Sequence, residues 1–503
     1  MRTRERVYLA LAPPRNRNRA TFNRKHPLHV YNDRVLKLVM SLAAASALAA
    51  PSVAQQNPGV SEASSLHPGV VSPKIICAAN PEQSYALYLP SNYSPARKWP
   101  IVYAFDPAAR GTYPLAQMKE AAERHGYIVA GSNNSRNASW KLESEAALAM
   151  FDDTHARLAI DTRRQYFAGF SGGARVASAL AQRCKCSAGV LLNGAGFSSG
   201  MPPARDSVFP VFAAVGLFDF NYGELSQLQE QLDARHFPHF FRSFDGSHEW
   251  APPAVMEEAF AWFRVIAIKE HLEPGDDAFI AAQAAQAIER ARNFEQSGDP
   301  YAAWREYHQA ADTFDAFLVA ASFRKSVASL ESEKAVREGA KRERQEIEEQ
   351  SQLTREISAG MASLRENAAA RVDTRNDLER QITALRERST REKRPEKQRV
   401  PRRALGGLLV QAMEAGSQLF DSKDFALARD YFQLATAADP DSVWALGNLA
   451  VAQAQTGDRK AALAALRRAR EKTKNPAAFS AWLHREPAFA KLQDDATFKA
   501  LGQ

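Results

Sequence analysis

Between about residues 77 and 269, short apolar runs alternate with stretches of helical periodicity. The runs at 85–89, 101–105, 127–131, 165–170, 189–193, 211–215 and 239–244 predict strands. The segments at 115–124, 144–158, 174–182, 225–234 and 254–268 predict the helices between them. Several runs are apolar throughout, as strands buried on both faces are. The pattern therefore predicts an α/β fold whose mostly parallel sheet is covered by helices on either side. After Pro274 the strands stop. Residues 278–405 are rich in Ala, Glu, Arg and Gln and poor in Gly and Pro, which predicts helix. A helix pair is expected over 287–311, hinged at Gly298, Asp299 and Pro300. From 326 to 394, charges alternate densely around sparse apolar positions such as Ile347, Leu353, Ile357, Leu364, Leu378, Ile382 and Leu385. That spacing suits a long coiled-coil-like helix or hairpin, or a solvated helix with no partner. Residues 394–403 set Pro395 and Pro401 among basic side chains and predict a linker.

The C-terminal segment carries an internal repeat. Counting from Leu409, the residues Gly416, Leu419, Ala428, Phe432, Ala435 and Pro440 fall where the 34-residue TPR pattern wants small, large, small, aromatic, small and Pro. A second unit from Val443 puts Leu446, Leu449, Ala450, Gly457, Ala462, Leu466 and Ala469 at matching places. Small residues let the two helices of a unit approach closely, and proline ends the second helix. Residues 487–489 and 497–498 are expected in capping helices. Such repeats predict a protein or peptide partner on a concave helical surface.

Composition changes this picture at the N-terminus. An apolar fraction of 45% and a charged fraction of 24% are ordinary for a folded protein, and 503 residues imply more than one domain. The formal charge of +8 is confined to the first 55 residues, which hold ten basic and two acidic side chains. The remainder is neutral overall, so no nucleic-acid partner is expected. Arg34 and Lys37 precede an uncharged apolar run from Leu38 to Ala50, then Ser52 and Ala54 flank Val53. This is a secretory signal pattern with cleavage expected between Ala54 and Gln55. The run falls short of the ~20 residues of a membrane span, so no stable span is expected after cleavage; a retained anchor is the alternative. The long basic lead suggests true initiation near Val35 or Met40. The protein is thus expected outside the cytoplasm, periplasmic or secreted. Its three cysteines are no disulfide framework: Cys77 could bridge to Cys184 or Cys186, or all three could be small buried residues. The expected division is a leader over 1–54, a flexible lead-in over 55–74, an α/β domain over 75–270, a charged helical region over 278–400 and TPR-like repeats over 406–503.

The chemistry centres on Gly169-Phe170-Ser171-Gly172-Gly173, a G-x-S-x-G string. The string alone is weak, but an apolar strand precedes it and a helix opens directly after it. A nucleophilic serine on a sharp strand-to-helix turn needs small neighbours because the backbone is crowded there. The partners should follow in the order acid, then histidine. Asp219 lies just past the run at 211–215, and His248 just past that at 239–244. Both would project from carboxyl ends of strands, where open α/β sheets place their sites. His248 would take the proton of Ser171 and return it to the leaving group, while Asp219 would hold the imidazole tautomer. Trp140, Phe218, Phe220, Tyr222 and Trp250 are candidate aromatic walls of a substrate pocket. No phosphate loop and no zinc-ligand spacing appears, and no cofactor or metal is expected.

These residues carry a resemblance. The run from Ile160 through Ser171 to Ala174, the Gly216–Asp219 loop and the Gly246–Trp250 loop together resemble the α/β-hydrolase esterases grouped with polyhydroxybutyrate depolymerases and feruloyl esterases. The resemblance spans roughly residues 75–268. It implies a metal-independent serine esterase working through an acyl-enzyme on a small ester or acylated substrate, with amide bonds open to the same chemistry. One departure stands out. Such esterases place His-Gly after the third strand, where the next backbone N–H lines the oxyanion hole. Here that place reads Phe105-Asp106-Pro107-Ala108. Proline has no N–H, so Ala108 becomes the candidate donor, with Gly172 as the second. Losing one donor costs on the order of 10²–10³ in turnover. The rival expectation is therefore a weak or inactive hydrolase-fold protein serving as a TPR binding scaffold. If the charged helices form a true coiled coil, a homodimer is expected.

Overall fold

The computed structural model describes residues 66–137, 139–198, 209–366 and 369–502. The expected leader lies outside them. Among the described residues, eight strands form one sheet: β1 (Val71–Cys77), β2 (Asn80–Tyr88), β3 (Trp99–Phe105), β4 (Ile128–Ser132), β5 (Ile160–Phe170), β6 (Ser187–Asn193), β7 (Val211–Gly216) and β8 (His239–Phe244). Their order is β1-β2-β4-β3-β5-β6-β7-β8. The two pairs made by β2, with β1 and β4, are antiparallel and the rest are parallel. The mostly parallel sheet is as expected, with one strand more. β1 falls partly in the stretch read as a flexible lead-in, because VSPKIIC holds a proline and a lysine and pairs only at an edge.

Helices α1 (Thr112–His125) and α5 (Pro253–Lys269) cover one face, while α2 (Trp140–Arg157), α3 (Gly172–Cys184) and α4 (Tyr222–Asp233) cover the other. Strand β3 shows why both faces are apolar. Ile101, Tyr103 and Phe105 enter the core under α2, α3 and α4, while Val102 and Ala104 enter the core under α1 and α5. Cys184 and Cys186 are disulfide-bonded to each other. Cys77 is free and buried, so it bridges to neither.

Among the described residues, every element after residue 276 is helical: α6 (Asp277–Gln296), α7 (Pro300–Thr313), α8 (Ala320–Glu331), α9 (Lys334–Glu366), α10 (Arg371–Arg391), α11 (Pro395–Asp421), α12 (Phe425–Ala438), α13 (Val443–Gln455), α14 (Arg459–Lys472), α15 (Pro476–Arg485), a 3₁₀ turn (Pro487–Leu492) and α16 (Ala496–Leu501). The hinge at Gly298 is present, with Asp299 capping α7 through Ala302 N–H. The segment read as a linker is instead the first part of α11. Pro395 sits in its first turn, where no N–H is needed, and only Pro401 lies inside the helix. The sparse apolar positions of the charged stretch are consumed within the chain. Ile357, Leu364, Leu378, Ile382 and Leu385 share one core with α11, α12 and α13.

The helical part also packs on the α/β part. Val265 and Ile268 of α5 share a core with α6, α7 and α8. Strand β8 is an edge, and Gln309 of α7 accepts from its Phe241 N–H at 2.6 Å. Arg242 of β8 is held between Glu258 and Glu306 at 2.5 and 2.9 Å. A covered edge cannot pair with another chain.

Candidate functional site

Ser171 stands between β5 and α3 with φ 52° and ψ −121°, a strained conformation for a residue with a Cβ. The surroundings enforce it. A Cβ at Gly169 would fall 2.0 Å from the Gly173 carbonyl oxygen, and one at Gly173 the same distance from that of Phe105. Ser171 N–H donates to Asn193 O at 2.9 Å, and its own carbonyl accepts from Ala174 N–H at 3.0 Å. The side chain is thereby lifted above the carboxyl edge of the sheet.

His248 meets Ser171 there. Its Nε2 lies 2.8 Å from Ser171 Oγ, and its Nδ1 lies 2.9 and 3.0 Å from the two oxygens of Asp219. A carboxylate facing Nδ1 accepts a hydrogen bond from its N–H, which keeps the ring proton on Nδ1 and leaves Nε2 as the acceptor for the serine hydroxyl. Asp219 is fully buried and also accepts from Asn221 N–H at 2.8 Å. Burial raises its pKa above the ordinary value, against the lowering effect of His248. The three groups expected from the sequence are therefore hydrogen-bonded in one line. The imidazole sits between two rings, with centroids 4.6 Å from Phe170 and 4.2 Å from Phe220.

The histidine loop is pinned by residues that sequence reasoning missed. Asn193 donates to Glu249 O at 3.1 Å and accepts from Ala251 N–H at 3.2 Å. Asp106, fully buried, accepts from Trp250 Nε1 at 2.8 Å and from Arg110 at 2.9 and 2.8 Å. Burial would raise the Asp106 pKa, but bonds from Arg110, Trp250 and the Ala108 amide together outweigh it and hold the carboxyl below its usual range.

Ala108 is where the expectation needs correcting. Its N–H donates to Asp106 Oδ1 at 2.9 Å and is not free for a substrate oxygen. Gly172 begins α3, so its N–H is one of the helix's unpaired N-terminal donors. The aromatic candidates also divide. Trp250 and Tyr222 are each only 4% exposed and serve the scaffold, Trp250 on Asp106 and Tyr222 on Glu343. Phe218 is half-buried, with the Arg402 guanidinium 3.6 Å from its ring centre. Trp140 is 36% exposed and lies beneath Arg183, near the C-terminal end of α3 rather than its Ser171 end.

The acid loop is held from the helical part. Fully buried Arg403 donates to Leu217 O at 2.7 Å, with its guanidinium 3.7 Å from the Tyr222 ring centre. Gln350 donates to Phe220 O at 2.8 Å. Sequence offered no signal for these contacts, whose partners lie 186 and 130 positions apart. At the opposite end of the parallel strands, a groove of about 710 Å³ is lined by Asp233, His239, Arg305, His308 and Asp312. Asp233, His308 and Asp312 there bring ligand atoms within 4.8 Å of one another. Among the described residues no helix is long and apolar enough to cross a membrane.

The tetratricopeptide repeat family model matches residues 419–482, which run from the end of α11 into α15. No curated protein sequence matches the chain. Among solved structures, the chain is similar to FphF, a fluorophosphonate-binding serine hydrolase of Staphylococcus aureus, at 13% identity and a TM-score of 0.33, covering 39% of this chain and 98% of that one. It is similar to a ferulic acid esterase at 15% identity and a TM-score of 0.34, covering 39% and 97%. It is also similar to esterase B of Lactobacillus rhamnosis at 14% identity and a TM-score of 0.33, covering 41% and 89%.

Proposed function

We propose that this chain is an exported serine hydrolase that cleaves a carboxylic ester through an acyl-enzyme and engages a protein partner through its TPR repeats. The observation that carries the reading is the line of hydrogen bonds from Ser171 through His248 to buried Asp219, on a strained strand-to-helix turn. A plain glycine turn has no physical need for that strain or for an acid and imidazole in register with it.

Ser171 Oγ attacks the ester carbonyl as His248 Nε2 takes its proton. Asp219 stabilises the imidazolium that forms. Collapse of the tetrahedral adduct expels the alcohol, which receives the proton from His248. Water then repeats the sequence and frees the acid. Export is the reading of the basic and apolar leader, and the chemistry at Ser171 does not depend on it.

The scaffold reading keeps one observation in its favour: Pro107 has no N–H and Ala108 gives its own to Asp106. Turnover of p-nitrophenyl esters of graded acyl length, by the wild type and by His248→Ala, separates the two. The hydrolase reading expects wild-type turnover that falls by at least about 10³-fold in the variant. Equal, negligible rates in both proteins would leave the scaffold.

A further inference from the structure

Asn137 is exposed, and its amide lies against the residue that follows the nucleophile. Its side chain lies against Gly172, the residue after Ser171: a Cβ built there would come 1.8 Å from Asn137 Oδ1 and 3.4 Å from Nδ2. Only glycine admits an amide so close to the start of α3. Among the described residues, no other group is hydrogen-bonded to that amide. A half turn about its terminal torsion, which is soft and two-fold, exchanges Nδ2 and Oδ1.

The backbone carrying Asn137 is fixed rather than loose. Asn137 N–H donates to Pro107 O at 2.9 Å, and Arg136 pairs with Ala108 in an isolated antiparallel bridge. Buried Glu143 accepts from Ser135 Oγ at 2.5 Å and from Arg136 N–H at 3.2 Å. The segment is therefore stitched to the loop after β3, the place where the second backbone donor is missing. Pro107 has no N–H, and that of Ala108 is directed at Asp106.

We propose that the side-chain amide of Asn137 is the second donor of the oxyanion hole, acting with Gly172 N–H. The inference rests on the hydrolase reading above. As the bond between Ser171 Oγ and the acyl carbon forms, the carbonyl π pair moves onto oxygen and the serine proton passes to His248 Nε2. The new oxyanion accepts from Gly172 N–H and Asn137 Nδ2–H. Its charge repels Oδ1 and so selects the amide orientation. When the carbonyl re-forms, the alkoxide leaves and takes the proton from His248. With the backbone fixed, only the soft amide torsion has to turn as the charge develops.

The test uses the full chain, with p-nitrophenyl butyrate as substrate and a fluorophosphonate to count reactive Ser171. Asn137→Ala should lower kcat by about 10²–10³-fold with KM changed less than about three-fold. Asn137→Asp fills the same space but offers no donor, and should lose at least as much. Circular dichroism and thermal melting of both variants should match the wild type. A kcat within about three-fold of wild type in either variant overturns the assignment while leaving the hydrolase reading intact. A wild type that neither turns over nor labels overturns the hydrolase reading itself, and Asn137 falls with it.

Discussion

Two buried carboxylates do different work at this site, and their surroundings say which is which. Asp219 is hydrogen-bonded to an imidazole and a backbone N–H, and burial outweighs these bonds and the charges of His248 and Arg403 to keep its pKa high. Asp106 faces a guanidinium, an indole N–H and an amide, which hold its pKa low. A lowered folded-state pKa means stability that is present above the unfolded pKa of about 3.9 and lost as pH falls through the folded value. Asp106→Asn should therefore cost about 2 kcal/mol near neutral pH. The gap to wild type in urea unfolding should close as pH drops from about 5 towards 2. A gap that stays constant would show that charge at Asp106 is not what ties Trp250 and the histidine loop. Ser171, Asp219 and His248 were legible because a local motif and chain order announce them. Asp106, Asn193 and Asn137 were not, since their importance lies in contacts 144, 58 and 35 positions away.

Among the elements, periodicity exposed the central strands because each is apolar on both faces. It missed β1, an edge strand carrying Pro73 and Lys74. It also misread the start of α11 as a linker, because two prolines outweighed the apolar positions Val400, Ala404 and Leu405 that are buried there. That helix matters to the site, since its Arg403 holds the Leu217 carbonyl of the acid loop. Arg403→Met should keep the volume and lose the bond. We expect a stability loss of about 1–3 kcal/mol from the orphaned carbonyl and a lowered kcat from a loosened Asp219 loop. Unchanged turnover, with the protein folded, would show that α11 supports the loop without positioning it.

In the molecule as a whole, the described residues form one compact unit. The repeats matched by the tetratricopeptide family model continue a helical layer that begins on α5 and reaches the acid loop. The α/β part without it would expose Val265 and Ile268 of α5 and the Phe241 N–H of β8, and would leave Arg242 without Glu306. A chain ended at Gly275 should therefore aggregate or melt well below the full chain in calorimetry. A truncated protein that melts as high as the full chain would contradict this coupling. The most direct test of the central claim is fluorophosphonate labelling of the purified full chain beside Ser171→Ala. The hydrogen-bonded line through His248 to Asp219 predicts stoichiometric labelling of the wild type and none of the variant. A wild type that is folded by circular dichroism yet unlabelled would contradict the account.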